Sequence, residues 1–194
     1  MSRIDESKMP WQQRRMRAVI LFFVGVFLGG AVAGAAGYVR WNKPHDPYAK
    51  WRFAHEKRAE DFPTGGALLI GDSIVHRLYI PELCGKPVFN AGMAGARADQ
   101  IAPLSAVLID KLRPSIIVVS AGANDREQGD AWHRDLEKIA PRGAIVIDAP
   151  TSLAVRNGWA VIPALPAILR TDDVHANAAG RSELKKRIAD TACS

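Results

Sequence analysis

The sequence predicts an α/β domain, a parallel sheet with helices on both of its faces, preceded by one apolar segment long enough to span a membrane. Three observations carry this expectation. From Gly65 onward, short apolar runs alternate with stretches of helical spacing. Those runs are continuous rather than alternating, as strands covered on both faces require. Ahead of them, the 22 residues 18–39 carry no charged side chain. The 194-residue chain is 48% hydrophobic and 24% charged, which excludes a disordered chain, a collagen and a disulfide-dense mini-protein.

Residues 1–17 read as a basic cytoplasmic tail, with Arg3, Lys8, Arg14, Arg15 and Arg17 against Asp5 and Glu6. Residues 18–39 read as a transmembrane helix, because about 20 residues rising ~1.5 Å each cover the hydrocarbon core. Lys and Arg crowd its N-terminal side, so the expected orientation is N-terminus inside and everything after Arg40 outside. Trp11, Tyr38 and Trp41 stand where amphipathic rings prefer the headgroup region. The rival is a cleaved signal peptide, with 18–30 as its apolar core and Ala31-Val32-Ala33 as its cleavage site. The apolar run continues to Val39, which suits an anchor better. Residues 40–64, punctuated by Pro44, Pro47 and Pro63, form a juxtamembrane linker. Within it, Asp46-Pro47 resembles an N-cap and first helical residue, predicting a short helix over 47–60.

The catalytic-sized domain is expected over 65–194. Its strands are 67–70 (ALLI), 87–89, 116–119 (IIVV), 144–147 (AIVI) and, after the turn-like Asn157-Gly158, 160–162. Helical spacing falls over 74–83, 99–112, 130–140 and 178–191. Leu104, Val107, Leu108 and Leu112 share one face of the second helix, and Trp132, Leu136 and Ile139 one face of the third. Strands alternating with helices argue a parallel sheet.

The net charge of +6 would favour nucleic acid if it lay on one face. Half of it belongs to residues 1–17, which leaves +3 on the 155 residues after the span, so no nucleic-acid partner is expected. The two cysteines, Cys84 and Cys193, both follow the span, as suits an exported domain whose thiols can oxidise.

Catalytic groups in open parallel sheets gather at the carboxyl ends of the strands. The expected strand ends are followed in turn by Gly71-Asp72-Ser73-Ile74, by Asn90-Ala91-Gly92-Met93-Ala94-Gly95 and by Gly122-Ala123-Asn124-Asp125; Asp172-Asp173-Val174-His175 precedes the last helix. Ser73 ends a strand and opens a helix, so its hydroxyl stands at the sheet rim and its amide at a positive helix end. His175 can serve as its base, and Asp172, three residues earlier, can hold the far ring nitrogen. Gly95 and Asn124 offer a backbone N–H and a side-chain amide to a developing oxyanion. Each piece alone has an ordinary reading: a helix-capping serine, a surface histidine, a turn at Asn124-Asp125. The glycines lack the spacing of a dinucleotide site. His45, His55, His76 and His133 have no metal-ligand spacing, so no metal and no cofactor are expected. Asp72 and Asp125 are expected to hold the loops that position Ser73 and Asn124.

Together these four blocks resemble those of the SGNH (GDSL-like) hydrolases, over about residues 65–194. The resemblance implies a flavodoxin-like three-layer sandwich with a five-stranded parallel sheet, and metal-free hydrolysis or transfer of acyl groups. By position it implies Ser73 as nucleophile, His175 as general base and Asp172 as its orienting carboxylate. The implied oxyanion hole is formed by the amides of Ser73 and Gly95 and the side chain of Asn124. Ala176 and Asp173 depart from the family pattern, where proline or leucine and glycine are frequent; neither change removes a reacting group. In such a layout the first and last helices lie on one side of the sheet, so Cys84 and Cys193 can bridge; two free thiols are the alternative. Arg77, Arg97 and Arg126 each follow a block and are candidate substrate-binding residues at the rim, a set whose guanidinium forks favour an anionic substrate such as a uronic-acid polysaccharide or a phospholipid headgroup. The bland reading pairs Arg97 with Asp99 and Arg126 with Glu127 or Asp130.

The expected function is that of an extracytoplasmic serine esterase removing acyl groups, foremost acetyl, from an envelope or secreted polysaccharide. Alternatives using the same residues are a polysaccharide O-acetyltransferase and a lysophospholipase or thioesterase; an inactive glycan-binding scaffold is a fourth. The expected partners are an acylated carbohydrate or lipid and, through 18–39, a membrane. The expected location is the cell inner membrane, single-pass, with the catalytic domain periplasmic or extracellular.

Overall fold

The structure, a computed structural model, describes residues 46–194. The expected tail 1–17 and span 18–39 lie outside the described residues, and among those described no helix is long and apolar enough to cross a membrane. Pro47–Ser194 form one compact unit. The domain therefore starts well before Gly65, and the second half of the expected linker belongs to it. Helix α1 (Ala49–Arg58) begins after Tyr48, with Pro47 in the preceding turn rather than at the first helical position. Ala59 and Phe62, just beyond α1, pack into the core.

Next come β1 (Ala67–Gly71), α2 (Ser73–His76), β2 (Glu82–Leu83), β3 (Lys86–Gly92) and α3 (Ala98–Leu112). They are followed by β4 (Ile116–Ser120), α4 (Asp130–Ile139), β5 (Ile145–Ile147), α5 (Thr151–Asn157) and β6 (Ala160–Ile162). A 3-10 turn (Ala167–Leu169) and α6 (Ala178–Ala192) end the chain. The sheet has six strands in the order β2-β3-β1-β4-β5-β6. Five are parallel, and β2 joins β3 antiparallel at the edge. Counting only the parallel strands, the order is that of flavodoxin-like sheets, with its switch point beside β1.

Two expectations are corrected here. The sheet is six-stranded, not five-stranded, because the stretch 74–83 is not one helix. Helix α2 stops after one turn, Pro81 cannot continue it, and Glu82–Leu83 turns back on Lys86–Pro87 as a hairpin. Its two central residues, Cys84 and Gly85, both have positive φ, 52° and 72°, the handedness that a two-residue hairpin turn needs. The second correction is α5, which fills the interval between β5 and β6 and ends on the left-handed Gly158.

Strand β1 is buried throughout, and its side chains alternate between two cores. Leu68 and Ile70 face the layer that contains α3, α4 and α5, where Leu104, Leu108, Trp132, Leu136 and Trp159 pack. Ala67 and Leu69 face the opposite layer, where Val75, Leu78, Leu184 and Ile188 pack from α2, its following loop and α6. A three-layer α/β/α sandwich results. Among the described residues, every strand, both cores and the disulfide lie within Pro47–Ser194.

Cys84 and Cys193 are bonded, joining the β2–β3 turn to the end of α6. The bridge spans 109 residues of sequence. Loop-closure entropy for that length stabilises the fold by about 4–5 kcal/mol. Reduction, or Cys84→Ser with Cys193→Ser, is expected to lower the unfolding free energy in urea by that order. An unchanged transition midpoint would show that the bridge contributes nothing.

Candidate active site

Ser73 sits where β1 gives way to α2. Asp72 caps the helix by accepting the Ile74 N–H at 2.9 Å, and the Asp72 N–H bonds to the Ser120 carbonyl of β4 at 3.0 Å. The turn is held from the other side by β3. The Met93 N–H donates to the Gly71 carbonyl at 2.8 Å. The Asn90 amide donates to the carbonyls of Val75 and Leu78 at 3.0 and 2.7 Å. Asn90 thus closes the end of α2, a role that its place inside the second sequence block did not disclose.

The Ser73 hydroxyl lies 2.9 Å from His175 Nε2, and His175 Nδ1 lies 2.7 Å from Asp172 Oδ2. With the imidazole neutral and its proton on Nδ1, His175 donates to Asp172 and accepts from Ser73. The other oxygen of Asp172 accepts the N–H groups of His175 and Val174 at 2.7 and 2.8 Å. Those bonds, first the His175 N–H, then its ring and then the Val174 N–H, hold the Asp172 carboxyl well below the usual carboxylate range. The loop is tied at its base: the Thr171 N–H bonds to the His175 carbonyl at 2.7 Å, and Arg170 bridges to Ala176 and donates to the Asp173 carbonyl. Asn177 caps α6 through the Gly180 N–H and donates to the Ile168 carbonyl.

Asn124 donates one amide hydrogen to the Ala96 carbonyl at 3.0 Å, which fixes its side chain against the loop containing Gly95. That leaves its second hydrogen for another acceptor. Gly95 lies in that loop at φ 78° and is exposed. Asp125 accepts the Ala98 N–H at the start of α3 at 3.1 Å, so the loops after β3 and β4 are bonded to one another.

The three arginines have separate placements. Arg97 is a fork on Asp99, at 2.8 and 3.1 Å, while Arg77 and Arg126 are exposed. None of them lines the cavity of about 310 Å³ at this end of the sheet, whose wall takes chain neighbours of Ser73 and His175 but neither residue itself. Ile74, next to Ser73, and Val174 and Ala176, flanking His175, form part of its wall. Its charged lining is Asp125, Asp148, Asp173 and Arg170. Asp148, directly after β5 with φ 57°, and Arg170 were not singled out from the sequence; the position of Asp148 beyond a strand's carboxyl end was the available signal. Among the described residues no group of three or more His, Cys, Asp or Glu side chains is placed to hold a metal ion.

Solved structures with this architecture resemble the chain at low sequence identity. A protein from Streptococcus pneumonia, provisionally described as a platelet activating factor, superposes with a TM-score of 0.59 at 16% identity, over 84% of this chain and 98% of its own. A GDSL-like lipase from Bacteroides thetaiotaomicron gives 0.52 at 13% identity, over 72% and 98%. A provisionally described acylhydrolase from Bacteroides fragilis gives 0.50 at 14%, over 71% and 95%. At such identities the likeness is one of fold. No protein-family model matches the sequence, and no curated protein matches it.

Asp72 is fully buried, and its second oxygen has no hydrogen-bond partner. Burial pushes its carboxyl up from 3.8 to about 6. The folded protein therefore holds this proton more tightly than the unfolded chain, and stability from this group rises as pH falls through 6 toward 4. Relative to Asp72→Asn, the wild-type protein is expected to gain about 2 kcal/mol of unfolding free energy between pH 7.5 and 4.5. Urea titrations at the two pH values check this; a difference independent of pH would refute it.

Proposed function

We propose that this chain is a serine hydrolase that cleaves esters through an acyl-enzyme. The observation that carries the reading is the hydrogen-bonded series Ser73–His175–Asp172 at the carboxyl edge of the sheet. The fold shared with a GDSL-like lipase supports it.

As the Ser73 oxygen bonds to the ester carbonyl carbon, its proton passes to His175 Nε2, and the carbonyl oxygen becomes an oxyanion. Asp172 holds the ring in the tautomer that accepts this proton and stabilises the imidazolium that forms. The Ser73 and Gly95 amides and the remaining Asn124 hydrogen are the proposed oxyanion donors. Collapse breaks the carbon–alkoxy bond, and His175 returns the proton to the leaving alcohol. Water then repeats the sequence on the acyl-enzyme, releasing the acid and free Ser73.

The cavity next to the chain neighbours of Ser73 and His175 is modest, and its lining holds three carboxylates and one guanidinium. That balance disfavours an anionic polymer and supports a small acyl group, foremost acetyl, on a neutral saccharide. The engaged Arg97 points the same way. The Cys84–Cys193 bond supports an oxidising compartment. Together with the uncharged segment 18–39 behind a basic tail, it favours an anchored enzyme working outside the cytoplasm.

A fluorophosphonate is expected to add covalently to Ser73, read as a mass increase on the peptide that contains it. Ser73→Ala should abolish labelling. Ser73→Ala, His175→Ala and Asp172→Asn are each expected to lower kcat on p-nitrophenyl acetate by ~10³-fold or more, with losses that do not add. Labelling that survives Ser73→Ala would overturn the reading. Comparison of neutral and uronic acetylated oligosaccharides tests the substrate, with higher kcat/KM expected for the neutral ones.

A further inference from the structure

The cavity of about 310 Å³ at the carboxyl end of the sheet has two kinds of wall. Ile74, Ile147, Leu165, Val174 and Leu184 supply apolar surface, while Arg170, Asp148 and Asp173 supply charge. Asp125 also lines it, with one carboxylate oxygen already on the Ala98 N–H. Arg170 donates through Nη1 to the Asp173 carbonyl, and its Nε is buried with no hydrogen-bond partner. A buried N–H left in that state is costly, so it calls for an acceptor that the protein does not supply. Asp148 and Asp173 are exposed, and neither carboxylate forms a hydrogen bond or ion pair among the described residues.

A guanidinium only donates hydrogen bonds, and an ionised carboxylate only accepts them. A ligand that satisfies both needs groups that do both, as hydroxyls do. An ammonium would leave Arg170 unpaired, and a carboxylate or phosphate would meet like charges at Asp148 and Asp173. We propose that this cavity is a subsite for a neutral sugar ring, whose hydroxyls accept from Arg170 and donate to Asp148 and Asp173. The C–H face of the ring packs on the apolar wall. The place of this subsite in the reaction rests on the hydrolase reading. There the leaving alcohol takes its proton from His175, so it lies on the His175 side. The wall includes Arg170, Asp173, Val174 and Ala176 from around His175 and nothing from the loop that holds Gly95. The ring is therefore the alcohol half of the ester, and Arg170 and Asp148 are specificity-determining residues.

Binding is tested with methyl glucoside and the full chain carrying Ser73→Ala. Saturation-transfer NMR is expected to show magnetisation passing from protein to sugar, and Asp148→Gly in the same background should remove most of it. Glycine accepts the φ of 57° that Asp148 adopts, so this variant keeps the backbone. Kinetics then read the subsite in the active protein. The kcat/KM for a monoacetylated methyl glucoside should exceed that for cyclohexyl acetate, a ring ester without hydroxyls, by about tenfold or more. Asp148→Gly and, separately, Arg170→Met should each cut that ratio by about fivefold, chiefly through the glucoside's KM. No saturation transfer, transfer that Asp148→Gly does not alter, or a ratio near one would overturn the proposal. So would transfer to choline or methyl glucuronide but not to methyl glucoside. Transfer that depends on Asp148, in a protein that hydrolyses neither ester, would support the subsite and count against the hydrolase reading alone.

Discussion

The chain leaves β1 between two neighbours that all but touch it, and the room at that exit is set by backbone atoms. A Cβ on Gly71 would lie 2.1 Å from the Ser120 carbonyl oxygen of β4, and one on Gly92 would lie 2.2 Å from the His76 nitrogen at the end of α2. Real Cβ atoms do not approach so closely, so both positions need glycine. With that room, the Asp72 and Met93 amides bond across to β4 and back to Gly71, and the first turn of α2 starts at the sheet rim. The position of Ser73 is thus dictated by how closely three backbones pack. The hydroxyl, the buried Asp72 cap and the Asn90 clamp are consequences of that contact.

Parts of this architecture were legible where sequence pattern and tertiary packing agree. The runs at 67–70 and 116–119 became β1 and β4 because a strand buried on both faces has no polar position to confuse its reading. Trp132, Leu136 and Ile139 became the buried stripe of α4 for the complementary reason. The stretch 74–83 misled because Ile74, Val75 and Leu78 satisfy helical spacing over a single turn. Pro81 and a hairpin turn in which a cysteine takes positive φ govern the rest of it. Helix α5 was hidden because it spans only seven residues and buries just Leu153 and Ala154, too short a pattern to stand out.

The site shows the same division. Ser73 and His175 are 102 residues apart, and their approach to 2.9 Å follows from two loops at strand ends, a rule that sequence reasoning can use. Charge pairing was legible only between chain neighbours. Arg97 pairs with Asp99, as its bland reading has it, while Arg170, which no motif marked, reaches the cavity from the segment before Asp172. Which cation faces a ligand depends on side-chain directions that only the folded loops determine. Asp148 illustrates the remaining gap, since its left-handed backbone at the end of β5 leaves no mark in the sequence beyond its position.

The bond between Cys84 and Cys193 closes a covalent ring through β3, both central crossovers and the whole of α6. Ser73 lies outside the ring, while Asn124, Asp172 and His175 lie within it. The exposed stretch 126–129, part of the surface link between β4 and α4, belongs to the ring. A protease that cuts there separates the nucleophile from its base along the main chain, yet the two fragments stay joined through sulfur. Such a nicked molecule keeps its pieces at each other's side for as long as its surroundings remain oxidising. Exposure to thiols would then leave the two halves held only by the β4–β5 ladder and the two cores they share.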